Sequence, residues 1–368
     1  MPNKVVHNGE MEDFLGFINE TASKTKSVIL RNNKIVKRYY ALDKDGNTTH
    51  SNAELTAEAI RAMLIEKPDE IKEVDLLACG TSSPDQMMPS HAVMVHGCLP
   101  ESNNIEVVSP AGVCCAGMHS FKYAYLALKS GDKKKAIATG SERFSALLKS
   151  DKFEGEVQKL VELEEKPIVA FEKDFLRWML SDGAGAVLME NKKNVNALSL
   201  RVDWVEGVSY ANIREACMYM GAEKLEDSTL TSFKDYTSDD LISNSVLSIK
   251  QDVALLDENI LGLGFEYLKK VMDEKSLHGS EVDFFLPHIS SHYFEDKIAN
   301  NLITYDIAIT KDKWFLNLST LGNVGAASIY LMLEELFHSG KLESGQKILL
   351  AVPESSRFSY MFSLLTVC

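Results

Sequence analysis

The second half of this 368-residue chain repeats the first. Glu73-Val74-Asp75-Leu76-Leu77 returns 208 residues later as Glu281-Val282-Asp283-Phe284-Phe285. Leu128-Lys129-Ser130-Gly131 returns at an offset of 209 as Phe337-His338-Ser339-Gly340. The stretch around Cys114 and Cys115 matches Trp314 to Ile329, and Gly140 to Ser145 echoes Glu354 to Ser359. Several segments matched in one order at nearly one spacing imply a duplicated unit rather than chance likeness. The halves are drawn at 1–192 and 193–368.

Each copy reads as strands alternating with helices, the pattern of an α/β fold. Helical periodicity covers Ala53 to Ile65, and a long helix over Gly262 to Met272 precedes the matching strand. Buried strands are expected over Glu73 to Gly80, Ile105 to Val108 and Lys135 to Thr139. His91 to His96 and Phe121 to Leu128 read as helices, and Ser181 to Leu188 as a Gly-rich turn into a strand. Near the start, Glu10 to Asn19 reads as a short amphipathic helix and Ser27 to Ala41 as extended chain.

Forty-five per cent hydrophobic residues give ample core for such a chain. A net charge of −14 argues against nucleic acid and anionic membranes as partners. No run of about twenty apolar residues predicts a membrane span. The polar start Met1-Pro2-Asn3-Lys4 lacks a signal-peptide pattern, so the expected location is the cytoplasm. The six cysteines form no CxxC pair, so neither a metal site nor a disulfide framework is expected.

Two of those cysteines sit where chemistry is cheap. Cys114 and Cys115 lie on a tight turn from a strand into a helix, flanked by Gly112, Ala116 and Gly117. A thiol at a helix N-terminus feels the positive end of the macrodipole, which favours thiolate and hence a nucleophile. Taken alone, the turn fits two buried structural thiols equally well. The repeat breaks that tie. It sets the cysteine turn against loops of the other half that carry His288 after a strand and Asn323 in the matching turn. Cys, His and Asn on three strand-end loops are the parts of an acyl-transfer site.

The motifs Val113-Cys114-Cys115-Ala116-Gly117, Ser181-Asp182-Gly183-Ala184-Gly185-Ala186, Leu286-Pro287-His288 and Gly322-Asn323-Val324-Gly325-Ala326-Ala327-Ser328 span nearly the whole chain. Together they resemble the thiolase-fold condensing enzymes, closest to the ketoacyl-acyl-carrier-protein synthase III group. The resemblance implies two duplicated α/β halves in a five-layered α-β-α-β-α arrangement. It implies a homodimer, acyl thioesters on acyl-carrier protein or coenzyme A as partners, and no cofactor. Aligning Cys-Ala-Gly makes Cys115 the nucleophile, with Cys114 packed behind it, and gives His288 and Asn323 the other catalytic places. In the implied reaction an acyl group loads onto Cys115. His288 Nε2 and Asn323 Nδ2 then polarise a second thioester for Claisen condensation. Met88, Ser291 and Ser355 take substrate-pocket positions, with Met88 reaching the partner subunit's pocket.

Several stretches depart from the housekeeping members. The family begins with a strand ahead of the Pro2-to-Val6 stretch, so that strand is expected to be absent or the start incomplete. The Gly-rich turn that helps build the family's oxyanion hole is replaced by Pro353-Glu354-Ser355-Ser356-Arg357. An insertion over Lys149 to Phe175, with Phe171 to Gly183, is similar to the ketosynthase/cyclase branch that makes cyclohexanedione precursors of dialkylresorcinols and stilbenes. Ring closure then needs an acid/base, for which Glu154 is the first candidate and Glu142 the second. Alternatives are a malonyl-using synthase without cyclisation and a non-catalytic partner subunit. A thiolase-type enzyme would need a second catalytic cysteine, and Cys217 and Cys368 lie in no matching turn.

Overall fold

The computed structural model describes residues 1–20, 22–23, 25–152, 175–244 and 246–368. Eight strands form the framework: β1 (Leu76–Gly80), β2 (Glu106–Val108), β3 (Lys135–Glu142), β4 (Gly183–Glu190), β5 (Leu200–Ser209), β6 (Phe284–Pro287), β7 (Lys347–Glu354) and β8 (Ser359–Val367). One sheet runs β2-β1-β3-β4 and the other β6-β7-β8-β5. In the first, β1 is parallel to both β2 and β3, and β4 is antiparallel to β3. In the second, β6 is parallel to β7, β8 is antiparallel to β7, and a parallel bridge joins Phe285 to Trp314. Leu76 pairs with Ala136 in one sheet, as Phe284 pairs with Ile348 in the other. The repeat in the sequence is therefore a repeat of strand order, direction and register.

Alternation along these strands builds the layers, because successive side chains leave a strand on opposite faces. Leu76, Ala136, Ala138, Ile348, Leu350 and Val352 point inward. They meet the helices Cys115–Ser130 and Ser328–Phe337, which lie between the sheets. Leu77 and Ile137 point outward under the helix Asn52–Met63. Leu349 and Ala351 do the same under the helix Val253–Glu274. The order is helix, sheet, paired helices, sheet, helix. The first central helix packs closely on the turn Gly325–Ala327 ahead of the second, and a Cβ on Gly117 would stand 2.3 Å from the Ala326 carbonyl oxygen.

Local chemistry explains most boundaries. Ser51 and Glu54 close a capping box at the start of Asn52–Met63, which satisfies backbone N–H groups that a helix start leaves free. Gly131, at φ 81°, ends Cys115–Ser130 in the left-handed region that glycine enters without cost. One expectation fails: the stretch read as extended begins with a helix, Lys26–Asn33, and only Lys37–Arg38 is a strand. Its buried residues are Ile29 and Asn33, four apart, a spacing that only a helix puts on one face. Among the described residues no helix is long and apolar enough to cross a membrane.

Candidate active site

Loops from both halves converge on a cleft whose wall includes Val113, Cys114, His288, Asn323, Gly325 and Ser355. Its remaining lining is mainly apolar, with Phe144, Met179, Leu256, Ile260 and Phe294. A second apolar pocket adjoins it at Ile260, His288 and Pro353. Such a site suits a hydrocarbon chain with a few polar groups at its reacting end.

The sequence expectation puts the nucleophile at Cys115 with Cys114 packed behind it; in the structure both thiols are buried in one cluster, and Cys114 borders the cleft. Cys115 is 0% exposed, and its thiol donates to the Val352 carbonyl at 3.3 Å. It belongs to the apolar stripe Cys115, Met118, Phe121, Leu128 that packs between the sheets. Cys114, 9% exposed, lies on the cleft wall at the N-cap of that helix. The reason is helical phase. Stepping back by three or seven from Leu128 through Phe121 and Met118 lands on Cys115, which commits its side chain to the core. Its neighbour Cys114 belongs to the same core cluster and also borders the cleft. Burial first, then the charges of Glu354 and Glu142, push the Cys114 thiol well above its ordinary range.

Asn323 is held by its backbone. Its N–H donates to Met179 O at 3.1 Å and its carbonyl accepts from Ser181 N–H at 2.9 Å. The preceding Gly322 is at φ 76°, where a Cβ would stand 2.8 Å from Ser181 Cβ. Asn323 Oδ1 accepts from Gly325 N–H at 3.0 Å, which leaves Nδ2 as the donor for the cleft. The Ser181-Asp182-Gly183 motif is thus a support. Asp182 Oδ2 accepts from Ala41 N–H at 2.7 Å and from the Ser145 hydroxyl. Burial raises the Asp182 carboxyl to about 6.

His288 follows β6, and its N–H donates to Ala351 O at 2.8 Å, continuing the parallel ladder with β7. Burial lowers its imidazole to about 4, so the ring is neutral near pH 7. A neutral imidazole can still donate one hydrogen bond to a carbonyl oxygen.

Of the pocket positions expected from sequence, Ser355 lies on the wall and Ser291 does not. Ser291 is buried as a turn cap, its Oγ accepting from Tyr293 N–H at 3.2 Å, while Ile289 and Ser290 line the cleft. Met88 is 86% exposed and away from the cleft of its own chain. Glu154 lies outside the described residues. Glu142 is buried and already engaged. It accepts from Ser83 Oγ at 2.6 Å, Ser82 Oγ at 2.8 Å and Ala326 N–H at 3.2 Å, and burial raises it to about 7. Among the described residues no cluster of three or more His, Cys, Asp or Glu has the arrangement of a metal site.

Residues 272–352 match the family described as 3-oxoacyl-(acyl-carrier-protein) synthase III, C terminal. A β-ketoacyl-acyl-carrier-protein synthase III from Clostridium botulinum is 25% identical over 355 residues, 95% of this chain and 91% of that protein. Over nearly its whole length the chain is thus similar to ketoacyl synthase III enzymes. A counterpart from a Sulfurovum species is 22% identical over 95% of this chain and 88% of its own length. Among solved structures, a tetronic acid condensing enzyme superposes with a TM-score of 0.77 at 19% identity, covering 100% of this chain and 97% of that one. Xanthomonas campestris OleA, with bound lauric acid and lauroyl-CoA, gives 0.74 at 17% identity, covering 99% and 96%. The chain therefore has the thiolase fold.

Proposed function

We propose that this protein loads an acyl group onto Cys114 and condenses it with a second thioester polarised by His288 and Asn323. The observation that carries this reading is that one cleft wall holds a helix-start thiol, a neutral imidazole and an amide donor from three separate loops. In the first step Cys114 Sγ attacks the thioester carbonyl. The bond from carbonyl carbon to Sγ forms, the bond to the carrier sulfur breaks, and the thiol proton leaves on the departing thiol. Glu354 engages the Val113 and Cys115 N–H groups, and the Cys114 N–H faces its own thiol. That N–H is the proposed donor to the tetrahedral oxyanion. In the second step His288 and the Asn323 amide donate to the incoming carbonyl, and the enolate carbon attacks the acyl-Cys114 carbonyl. The carbon–carbon bond forms as the bond from carbonyl carbon to Sγ breaks, and the proton lost from the α-carbon of the second thioester ends on the freed Cys114 sulfur.

Acyl thioesters on carrier protein or coenzyme A are the proposed substrates, as the names of the relatives support. For the second substrate we propose a β-ketoacyl thioester, with ring closure to a cyclohexanedione. The likeness of Phe171 to Gly183 to the ketosynthase/cyclase branch supports this. So does a relative of the same fold that is a tetronic acid condensing enzyme, since a tetronic acid is a cyclic β-dicarbonyl. Met88, exposed beside exposed Met87, suits contact with a second copy in the proposed homodimer.

Intact-mass analysis after incubation with an acyl-coenzyme A tests the first step. Cys115→Ala is expected to keep the acyl adduct and Cys114→Ala to lose it. An adduct on Cys114→Ala overturns the assignment. Adding a β-ketoacyl-carrier protein and identifying products by mass spectrometry tests the second. A linear diketide alone rejects cyclisation.

A further inference from the structure

His288 and Asn323 stand on separate loops, and one carbonyl oxygen has to meet both donors. The fold secures those loops unequally. The Asn323 turn is pinned on both sides of its backbone, by Met179 O and Ser181 N–H. The His288 loop has one such tie, from His288 N–H to Ala351 O at 2.8 Å. In a parallel pair the next rung would bring the N–H of residue 353 to the His288 carbonyl, and Pro353 has no N–H to give. Beyond it Ile289 and Ser290 line the cleft, and among the described residues neither makes a backbone hydrogen bond.

A side-chain clasp ties this loop to the other one. His292, four residues past His288, meets Ser319 Oγ through Nε2 at 2.8 Å. Ser319 stands four residues before Asn323, in the helical turn Leu318–Leu321. On its other side His292 Nδ1 meets the Glu295 carboxylate. A carboxylate only accepts, so Nδ1 carries a proton, and Nε2 of a neutral ring accepts from the Ser319 hydroxyl. The anchor is itself fixed, since Val36 N–H donates to Ser319 O at 2.9 Å. The His292 side chain is 12% exposed, so water competes little for these bonds. Neither His292 nor Ser319 lines the cleft.

We propose that His292 and Ser319 are positioning residues. They hold His288 and Asn323 at the spacing that one thioester oxygen needs, with Glu295 orienting the His292 ring. This inference rests on the reading of His288 and Asn323 as joint donors to the second thioester. The clasp acts alike whichever thiol carries the acyl group. Both donors serve condensation, where a displacement of about 1 Å costs about a hundredfold in rate.

The test separates the two steps on the full chain. Acyl loading from an acyl-coenzyme A is followed by intact mass, and condensation by product formation with a β-ketoacyl-carrier protein. Ser319→Ala and His292→Ala are expected to load at the wild-type rate and to condense about ten- to a hundredfold more slowly. The loss should fall in kcat, with KM for the β-ketoacyl-carrier protein within about twofold of wild type. The double variant should be no slower than the slower single one, because both changes remove the same hydrogen bond. Ser319→Thr keeps the hydroxyl and should stay within about threefold of wild type. Wild-type condensation in Ser319→Ala overturns the proposal, as do losses that multiply in the double variant. Loading that slows in step with condensation overturns it too, since general loosening would spare neither step. Wild-type condensation in both His288→Ala and Asn323→Ala would instead overturn the reading of the two donors beneath it.

Discussion

Cys114 and Cys115 are neighbours with the same side chain, and the fold gives them different work. Cys115 is sealed among Met118, Leu350 and Val352, so serine there would put a more polar hydroxyl into an apolar layer. Cys115→Ser should lower thermal stability by about 1–3 kcal/mol while leaving acylation in place, as read by Tm and intact mass. Asn323 makes the complementary case. Its Nδ2 is a donor to the second substrate only, so Asn323→Ala should keep the acyl-Cys114 adduct and lose about 10²–10³ in condensation rate. Loss of the adduct in that variant would place Asn323 in the first step instead.

Elements set how closely the two halves approach. The helix Cys115–Ser130 meets the turn Gly325–Ala327, just ahead of Ser328–Phe337, at Gly117 and Ala326, and Tyr330 Oη donates to Gly117 O at 2.8 Å across the contact. An added methyl at Gly117 would collide with the Ala326 carbonyl at 2.3 Å and a Tyr330 ring carbon at 3.0 Å. Backbone on one side cannot swing away as a side chain can. Gly117→Ala should therefore cost about 1–3 kcal/mol or more. It should also slow acylation, because the Cys114 turn rides on the same helix. A Tm unchanged from wild type would show that the helices separate freely. At this scale the sequence was informative where periodicity was strong, as in Asn52–Met63. It misled at Lys26–Asn33, where Val and Ile suggested extended chain but the burial of Ile29 and Asn33 on one face is helical.

The whole molecule buries acids at the seam between its halves, and that makes stability depend on pH. Glu142 titrates near 7 in the folded chain against an ordinary value of 4.5, so the folded state binds its proton more tightly than the unfolded state. Its contribution is full below pH 4.5 and is lost as pH rises through about 7. The loss amounts to about 3 kcal/mol. Buried His288 and His91 work the other way, since both are lowered to about 4 and resist protonation as pH falls. Comparing variants isolates the acid. Glu142→Gln should gain on wild type by about 3 kcal/mol between pH 4.5 and 8, measured by urea denaturation at each pH. A difference that stays constant across that range would mean Glu142 is ionised throughout.

Much of this protein could be read from the chain. Duplication at a spacing of 208, the alternation of strands with helices, and three strand-end loops bearing Cys, His and Asn all follow from residue order. Burial patterns and strand-end motifs are local, and local patterns survive in a linear string. The choice between two adjacent thiols did not follow. The Cys-Ala-Gly string matched a family motif at Cys115, while the helix that carries it turns that side chain to the core. Nor did the sequence tell that Glu354 reaches across 239 positions to cap the Cys115 N–H, because a side chain's partner in the opposite half depends on how two sheets stack. The sequence by itself determined the fold and the set of groups at the cleft. Packing between the halves decided which thiol faces the cleft and which charge stands behind it.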